Sequence, residues 1–263
     1  MCKKEQFSEY IARLMNNLVS IITPSYNSAK FIKYCVDSVI SQTYENWEMI
    51  IVDDYSRDNS RELISKFAKE DDRIKPIFLD ENVGAAEARN VAIKKSKGKY
   101  IAFLDSDDIW KLDKLEKQIA FMKKNDFAFT FTSYQPISED GEEKYSVIKA
   151  PKKMTYHSYL KNTIIGCLTV VIDIDKTGNF EMPNIRSSHD MALWLLIMKR
   201  GFSANGLDEN LAYYRIVSTS NTSKKWKAAK EVWDVYRKVE KLNIVYSGMC
   251  FVAYAFNALK KRI

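Results

Sequence analysis

The run Tyr100-Ile101-Ala102-Phe103-Leu104 stops abruptly at Asp105-Ser106-Asp107-Asp108, and that junction restricts what this chain can fold into more than any other stretch. Five apolar or aromatic residues without polar alternation suit a strand buried on both faces, as in a parallel sheet covered by helices. Ligands of such sheets gather beyond the carboxyl ends of the strands. Asp105 and Asp107 would stand close together there, and two carboxylates about 4 Å apart repel by about 4 kcal/mol at an effective dielectric of about 20. A cation relieves that repulsion. Hard oxygen ligands suit Mg²⁺ or Mn²⁺, with a substrate diphosphate completing the shell. The plainer alternative is an acidic loop capping a helix that starts near Trp110.

Two further strands end the same way. Glu48-Met49-Ile50-Ile51-Val52 runs into Asp53-Asp54, and Leu18-Val19-Ser20-Ile21-Ile22-Thr23 runs into Pro24-Ser25-Tyr26-Asn27-Ser28. Chance acidic turns account for one such end and poorly for three. Between them the apolar period switches to that of helices, at 28–41 with Ser28 as N-cap, 59–70, 84–96 and 111–124. Strands are expected at 74–79 and at Phe127 to Thr132. This alternation indicates an α/β fold, a mainly parallel sheet with helices on both faces.

The second half reads more coarsely. Glu139-Asp140-Gly141-Glu142 suggests a hairpin-like turn within a polar stretch, 136–151. A helix near 155–162, a strand at 168–173, a helix at 190–200 and a strand at 209–215 follow. Helix 222–240 carries Trp226, Ala229, Trp233 and Tyr236 on one stripe, which reads as packing. Residues 1–17 form a lead-in without the apolar stretch of a secretory signal. The body is expected over 18–220, divided near residue 110, with 221–263 as a helical extension.

Charge and cysteines narrow the partners. Cys2, Cys35, Cys167 and Cys250 are scattered, and with two histidines in the chain a structural zinc site is not expected. Reduced cysteines of this kind suit a cytosolic protein. The formal charge of +7 comes from dispersed lysines with no nucleic-acid-binding motif, so nucleic acid is not expected as a partner. An anionic membrane surface fits better. Residues 242–259 carry no formal charge and precede Lys260-Lys261-Arg262. On a helix, Val245, Met249, Val252, Phe256, Leu259 and Ile263 share one face, with Ser247, Tyr254, Asn257 and Lys261 opposite. Residues 243–263 thus suit an interfacial helix, or equally a helix packed on its own domain or on a second subunit.

The region from Val19 to Trp110 resembles the nucleotide-sugar-binding half of inverting family-2 glycosyltransferases with the GT-A fold. The matching blocks are Val19 to Asn27, Ser41-Gln42-Thr43-Tyr44, Glu48 to Asp54 with Ser56, Asn82 to Ala86 with Ala88-Arg89-Asn90, Gly98 to Ile101, and Asp105 to Asp108. The likeness is close over the first half and looser down to about Arg215. It implies a UDP-sugar donor, a glycan or lipid-linked acceptor and a divalent metal, in cell-surface polysaccharide synthesis at the inner face of the membrane. By that resemblance Asp54 matches the position that reads uracil N3–H, and Tyr26 the one that stacks on or borders the base. Pro24 and Ser106 fall in the same donor-binding blocks. Arg89 is placed for the base or diphosphate, Asp107 for the metal, and Asp105 for the ribose or metal.

The same resemblance places a catalytic carboxylate, usually preceded by Glu, where this chain has Ser188-His189-Asp190. Asp190 is then the expected base, with a helix cap as its plainer role. His189 and Trp194 are expected to position or contact the acceptor. Two alternatives remain. A nucleotidyltransferase would carry a Gly-rich, basic loop after its first strand, where this chain has Pro24-Ser25-Tyr26-Asn27. A non-catalytic nucleotide-sugar-binding protein would keep Asp54 and need no base.

Overall fold

The computed structural model describes residues 17–143, 145–185, 187–217 and 225–260; the lead-in through residue 16 lies outside that range. The parallel core is as expected. Strands β1 (Val19–Ser25), β2 (Trp47–Asp53), β3 (Ile74–Phe78) and β4 (Tyr100–Phe103) pair in the order β3-β2-β1-β4. Every residue of β1, β2 and β4 is buried, which explains why apolar residues predominate in them without regular polar alternation.

Helices cover both faces. On one side, α1 (Ile32–Ile40) and α2 (Ser60–Glu70) pack with α4 (Lys114–Asn125) around Ile21, Met49, Ala102 and Leu104. On the other, α3 (Ala85–Lys95) and α7 (His189–Lys199) enclose Ile22, Ile50, Ile101 and Phe103. Adjacent residues of β4 thus feed opposite cores, as the period-2 geometry of a strand demands. Gly98, just before β4, has no room for a side chain: a Cβ there would lie 2.6 Å from the Leu18 carbonyl oxygen and 2.7 Å from the Ser20 amide nitrogen.

Beyond β4 the sheet becomes mixed. Its order continues β8 (Val171–Asp173), β6 (Phe129–Ile137), β9 (Ala204–Arg215) and β5 (Ile109–Trp110), with β7 (Lys153–Met154) added to β9. β8 runs antiparallel to both β4 and β6, β6 and β9 are parallel, and β5 and β7 run against β9. The parallel arrangement therefore holds for the first half and gives way to a mixed one in the second. Residue pattern encodes burial, not direction, and so did not distinguish the two.

Several boundaries move; the strand expected at 209–215 already starts at Ala204, and the one expected at Phe127 to Thr132 runs from Phe129 to Ile137. α1 starts at Ile32 without a side-chain cap, because the Ser28 hydroxyl is engaged with the Ser25 hydroxyl at 2.7 Å. The expected strand at 168–173 opens as a 3₁₀ turn over Cys167–Thr169. The long helix near 222–240 is α8 (Lys225–Asp234) followed by a π-helical turn, Val235–Val239. Its aromatic stripe packs at one end only: Tyr236 is buried, whereas Trp226 is 91% exposed.

The last helix, α9 (Ile244–Lys260), lies against α8 and against α5 (Tyr156–Lys161), and α5 in turn packs on α7. A short helix, α6 (Ile174–Thr177), follows β8. Among the described residues no helix is long and apolar enough to cross a membrane.

Candidate active site

The carboxyl ends of β1, β2 and β4 meet at one edge, as the parallel registers require. Pro24 is tolerated inside β1 because pairing with β4 ends at Ile22 and Phe103, where Leu104 donates to the Ile22 carbonyl. It is buried and shapes the strand's exit. Tyr26, the next residue but one, is 53% exposed at that exit. Asn27 has φ 48° and receives the Arg57 amide on its side-chain oxygen at 2.8 Å, which ties the loops after β1 and β2 together.

The two carboxylates at the end of β2 divide the work. Asp53 is fully buried and accepts from Ser56 N at 3.0 Å and Arg61 Nε at 2.7 Å, a structural clamp on its own loop. Asp54 is 3% exposed; Val83 N donates to its Oδ1 at 2.7 Å and Gly84 N to its Oδ2 at 2.9 Å. Gly84, with φ 88°, brings its amide to Asp54 in a conformation that disfavours a side chain. Each Asp54 oxygen retains a lone pair for a third donor.

At the end of β4, Asp105 forms an ion pair with Arg89 of α3. Ser106 is buried in the turn. Asp107 is pushed up to about 6, first by burial and then by the negative charge of Asp105. Asp108 is driven up further by burial and its two acidic neighbours. It accepts the Arg215 amide at 2.9 Å, and Arg215 Nε donates to the Asp107 carbonyl at 2.9 Å. Sequence reasoning gave no role to Arg215, which locks the acidic turn to β9; its place as the last residue of a strand is the signal that could have marked it.

Arg89 is the joint between the two halves of the site. Burial, the largest single influence, would lower its guanidinium, but Asp105 and the other acidic groups around it together outweigh that and hold it above its ordinary value, firmly charged. Its Nη1 lies 2.7 Å from His189 Nε2. Arginine can only donate, so Nε2 accepts and the imidazole proton sits on Nδ1. Burial, then Arg89, lowers the His189 pKa, so the ring is neutral at physiological pH. Asp190 follows His189 in the first turn of α7, partly exposed and close enough to Arg89 for their charges to interact. The helix cap is Ser188, with φ 56°, so Asp190 is not the N-cap.

Trp194 corrects an expectation. It is fully buried, its ring centroid 5.4 Å from Phe103 and 5.4 Å from Phe129, and offers no surface to an acceptor. α7 is apolar nearly all round, so its sequence could not tell which face was open.

The acidic turn is where a divalent cation could be held, by Asp107. Among the described residues no three carboxylate, imidazole or thiol groups gather into a cage. Mg²⁺ and Mn²⁺ in phosphate-transfer sites commonly use one or two carboxylates and the substrate's own phosphates. Asp107, crowded by Asp105, offers such a ligand.

Glycosyl transferase family 2 matches residues 20–177. The chain belongs to that family. Among relatives of this family-2 glycosyltransferase, TuaG of Bacillus subtilis (strain 168), whose name points to glycosyl transfer in teichuronic acid biosynthesis, is 52% identical over 94% of this chain and 98% of its own. WfgD of Escherichia coli, named a UDP-Glc:alpha-D-GlcNAc-diphosphoundecaprenol beta-1,3-glucosyltransferase, is 44% identical over 83% of this chain and 85% of its own. The fold matches that of S. aureus TarS 1-349 in complex with UDP-GlcNAc, at TM-score 0.70 and 19% identity over 92% of this chain and 72% of that one. It also matches a mannosyltransferase from Pyrobaculum calidifontis in complex with GDP-Man and Mn2+, at TM-score 0.69 and 16% identity over 93% and 70%. The architecture is therefore GT-A, as its residues led one to expect.

Proposed function

We propose that this enzyme transfers a hexose or N-acetylhexosamine from a UDP-sugar, with inversion, to the hydroxyl of a lipid-linked glycan acceptor in surface-polysaccharide synthesis at the inner face of the cell membrane. One observation carries the reading. Asp105, just past the end of β4, pairs with Arg89, and Arg89 meets His189, the chain neighbour of Asp190 at the start of α7. The name of WfgD supports the acceptor class, and that of TuaG supports a place in polymer biosynthesis.

Tyr26 and Asp54 would border the base, with Asp54 accepting from uracil N3–H beside its two backbone donors. Arg89, charged and buried, would offer its guanidinium toward the diphosphate. A divalent cation held by Asp107, with Asp105 beside it, would offset the charge that develops on the leaving group. Asp190 would take the acceptor hydroxyl's proton as that oxygen attacks the anomeric carbon. The attack comes from the face opposite the diphosphate, whose bond to the sugar breaks in the same displacement, so no enzyme nucleophile is needed. Neutral His189 would hold Arg89 in place without adding charge beside Asp190.

Asp190→Asn keeps the size of the side chain and removes its basicity. Transfer to the acceptor should fall by about 10² to 10⁴, with UDP affinity unchanged. Calorimetry and product chromatography read the two quantities separately. Undiminished turnover in the variant would remove Asp190 as the base, and a wild-type enzyme that binds UDP without turning over any UDP-sugar would mark a binding protein. A screen of nucleotide sugars for slow transfer to water identifies the donor.

A further inference from the structure

Helix α9 divides into two faces. Inward, Ser247 and Cys250 are fully buried and Phe251 packs edge-on to Trp233, ring centroids 5.5 Å apart. The Tyr246 hydroxyl shares a 2.8 Å hydrogen bond with His157, and Asn257 donates to the Lys161 carbonyl at 3.0 Å. Outward, Val245, Met249, Val252 and Phe256 are between 62% and 71% exposed, with Ile244 beside them at 59%. The four are spaced i, i+4, i+7 and i+11, one continuous stripe on a helix. The side chains of Leu259 and Lys260 and all of residues 261–263 lie outside the described residues.

Single apolar side chains in water are ordinary, but a row of five on a rigidly seated helix marks a surface that something covers. Charge selects what. From Lys241 to Ile263 the sequence has four basic residues, Lys241, Lys260, Lys261 and Arg262, and no Asp or Glu. Two copies meeting stripe to stripe would bring those like charges together without acidic partners. Anionic lipid headgroups would neutralise them while the acyl region takes up the stripe. At 17 residues α9 is about 26 Å long, shorter than the hydrocarbon core of about 30 Å. Seated on α5 and α8 by its other face, it is placed to lie in the interface.

We propose that α9 is the docking element by which this enzyme sits on an anionic phospholipid surface, its stripe inserted at the level of the headgroups. The proposal rests on the lipid-linked acceptor reading for its purpose. Through α5, which packs against both α9 and α7, the same contact would set the Asp190 helix at a fixed height above the bilayer.

The test is flotation of the full chain with phosphatidylcholine vesicles, with and without phosphatidylglycerol. The wild type should float with the phosphatidylglycerol vesicles, not with neutral ones, and salt raised from about 0.1 M to about 1 M should strip it off. Val245→Gln, Met249→Gln, Val252→Gln and Phe256→Gln combined keep helix propensity and leave the inward face intact. That variant should lose at least about tenfold in vesicle partitioning, with melting temperature and donor hydrolysis unchanged. Lys260→Gln, Lys261→Gln and Arg262→Gln combined should weaken binding and flatten its salt dependence. No flotation of the wild type, equal flotation with neutral vesicles, or full flotation of the four-Gln variant would overturn the proposal. A four-Gln variant that changes only the oligomeric state by light scattering would overturn it in favour of a subunit interface. Stripe-dependent flotation by a wild type that hydrolyses no donor would support docking and reject the transferase reading.

Discussion

Asp107 shows how far single residues decide the chemistry. Its carboxyl sits at about 6 because burial and Asp105 both oppose its charge. A bound cation would reverse that penalty, since metal and proton compete for the same oxygen. UDP should therefore bind far more tightly with Mn²⁺ than in a chelator, and the difference should shrink as pH falls through about 6. Asp107→Ala should erase the metal-dependent part of UDP affinity in calorimetry and leave the metal-free part intact. Equal UDP affinity of the wild type with and without metal would remove Asp107 from the metal site. At this scale the sequence located the acidic residues that follow buried strands, Asp54 after β2 and Asp105 and Asp107 after β4. It was uninformative where a role depends on a distant partner. Asp108 meets Arg215, 107 positions away, and Arg89 meets His189, 100 positions away. Neither pairing leaves a local pattern. The buried side of Trp194 was hidden for the complementary reason, since proximity to Asp190 in sequence says nothing about which side of a largely apolar helix is open, and burial leaves it a positioning role only.

Helices and strands carry a second set of consequences. α4 opens with Lys114, whose side chain is fully buried with Nζ 3.7 Å from the Trp110 ring centroid and no hydrogen-bond partner. An aromatic face returns about 2 kcal/mol or more to a desolvated cation, less than the hydration it replaces. Burial thus pulls the Lys114 pKa well below its ordinary value. Between the folded value and the unfolded one of about 10.4, the unfolded chain binds the extra proton, so this residue makes stability rise with pH across that window. Lys114→Met should remove that slope and raise Tm by at least about 2 °C at neutral pH, read by thermal denaturation at several pH values. A fall in Tm instead would mean that the ammonium has a compensating partner. The elements themselves were largely legible, because buried strands and amphipathic helices write their periods into the residues. Their ends were less so. Ser28 looks like a cap and is taken by Ser25, and the reversal of β8 depends on where α5 and the 3₁₀ turn deliver the chain.

The whole molecule closes over its C-terminal helix. Glu240, whose side chain is 3% exposed, accepts from Lys199 at 2.6 Å and from the Tyr156 hydroxyl, joining the end of α7, the start of α5 and the π-helical turn ahead of α9. Tyr236 is fully buried and donates to the Leu160 carbonyl, and Cys250 reaches the same core from α9. The sequence admitted a membrane helix, an intramolecular one or a subunit contact. The outer stripe and the buried inner face show why one pattern could support more than one reading: the helix has two apolar faces, and only packing tells them apart. A chain ending at Leu242 would therefore lose more than a membrane contact. It would uncover Trp233, Tyr156 and the site of Cys250, and loss of buried Cys250 and half-buried Phe251 should cost about 2 kcal/mol or more. Calorimetry of the full chain should show one cooperative transition. The truncated chain should melt at least about 5 °C lower, with donor hydrolysis lost at temperatures where the full chain still works. An unchanged Tm after truncation would make α9 a detachable appendage, and the fixed height it gives the Asp190 helix would go with it.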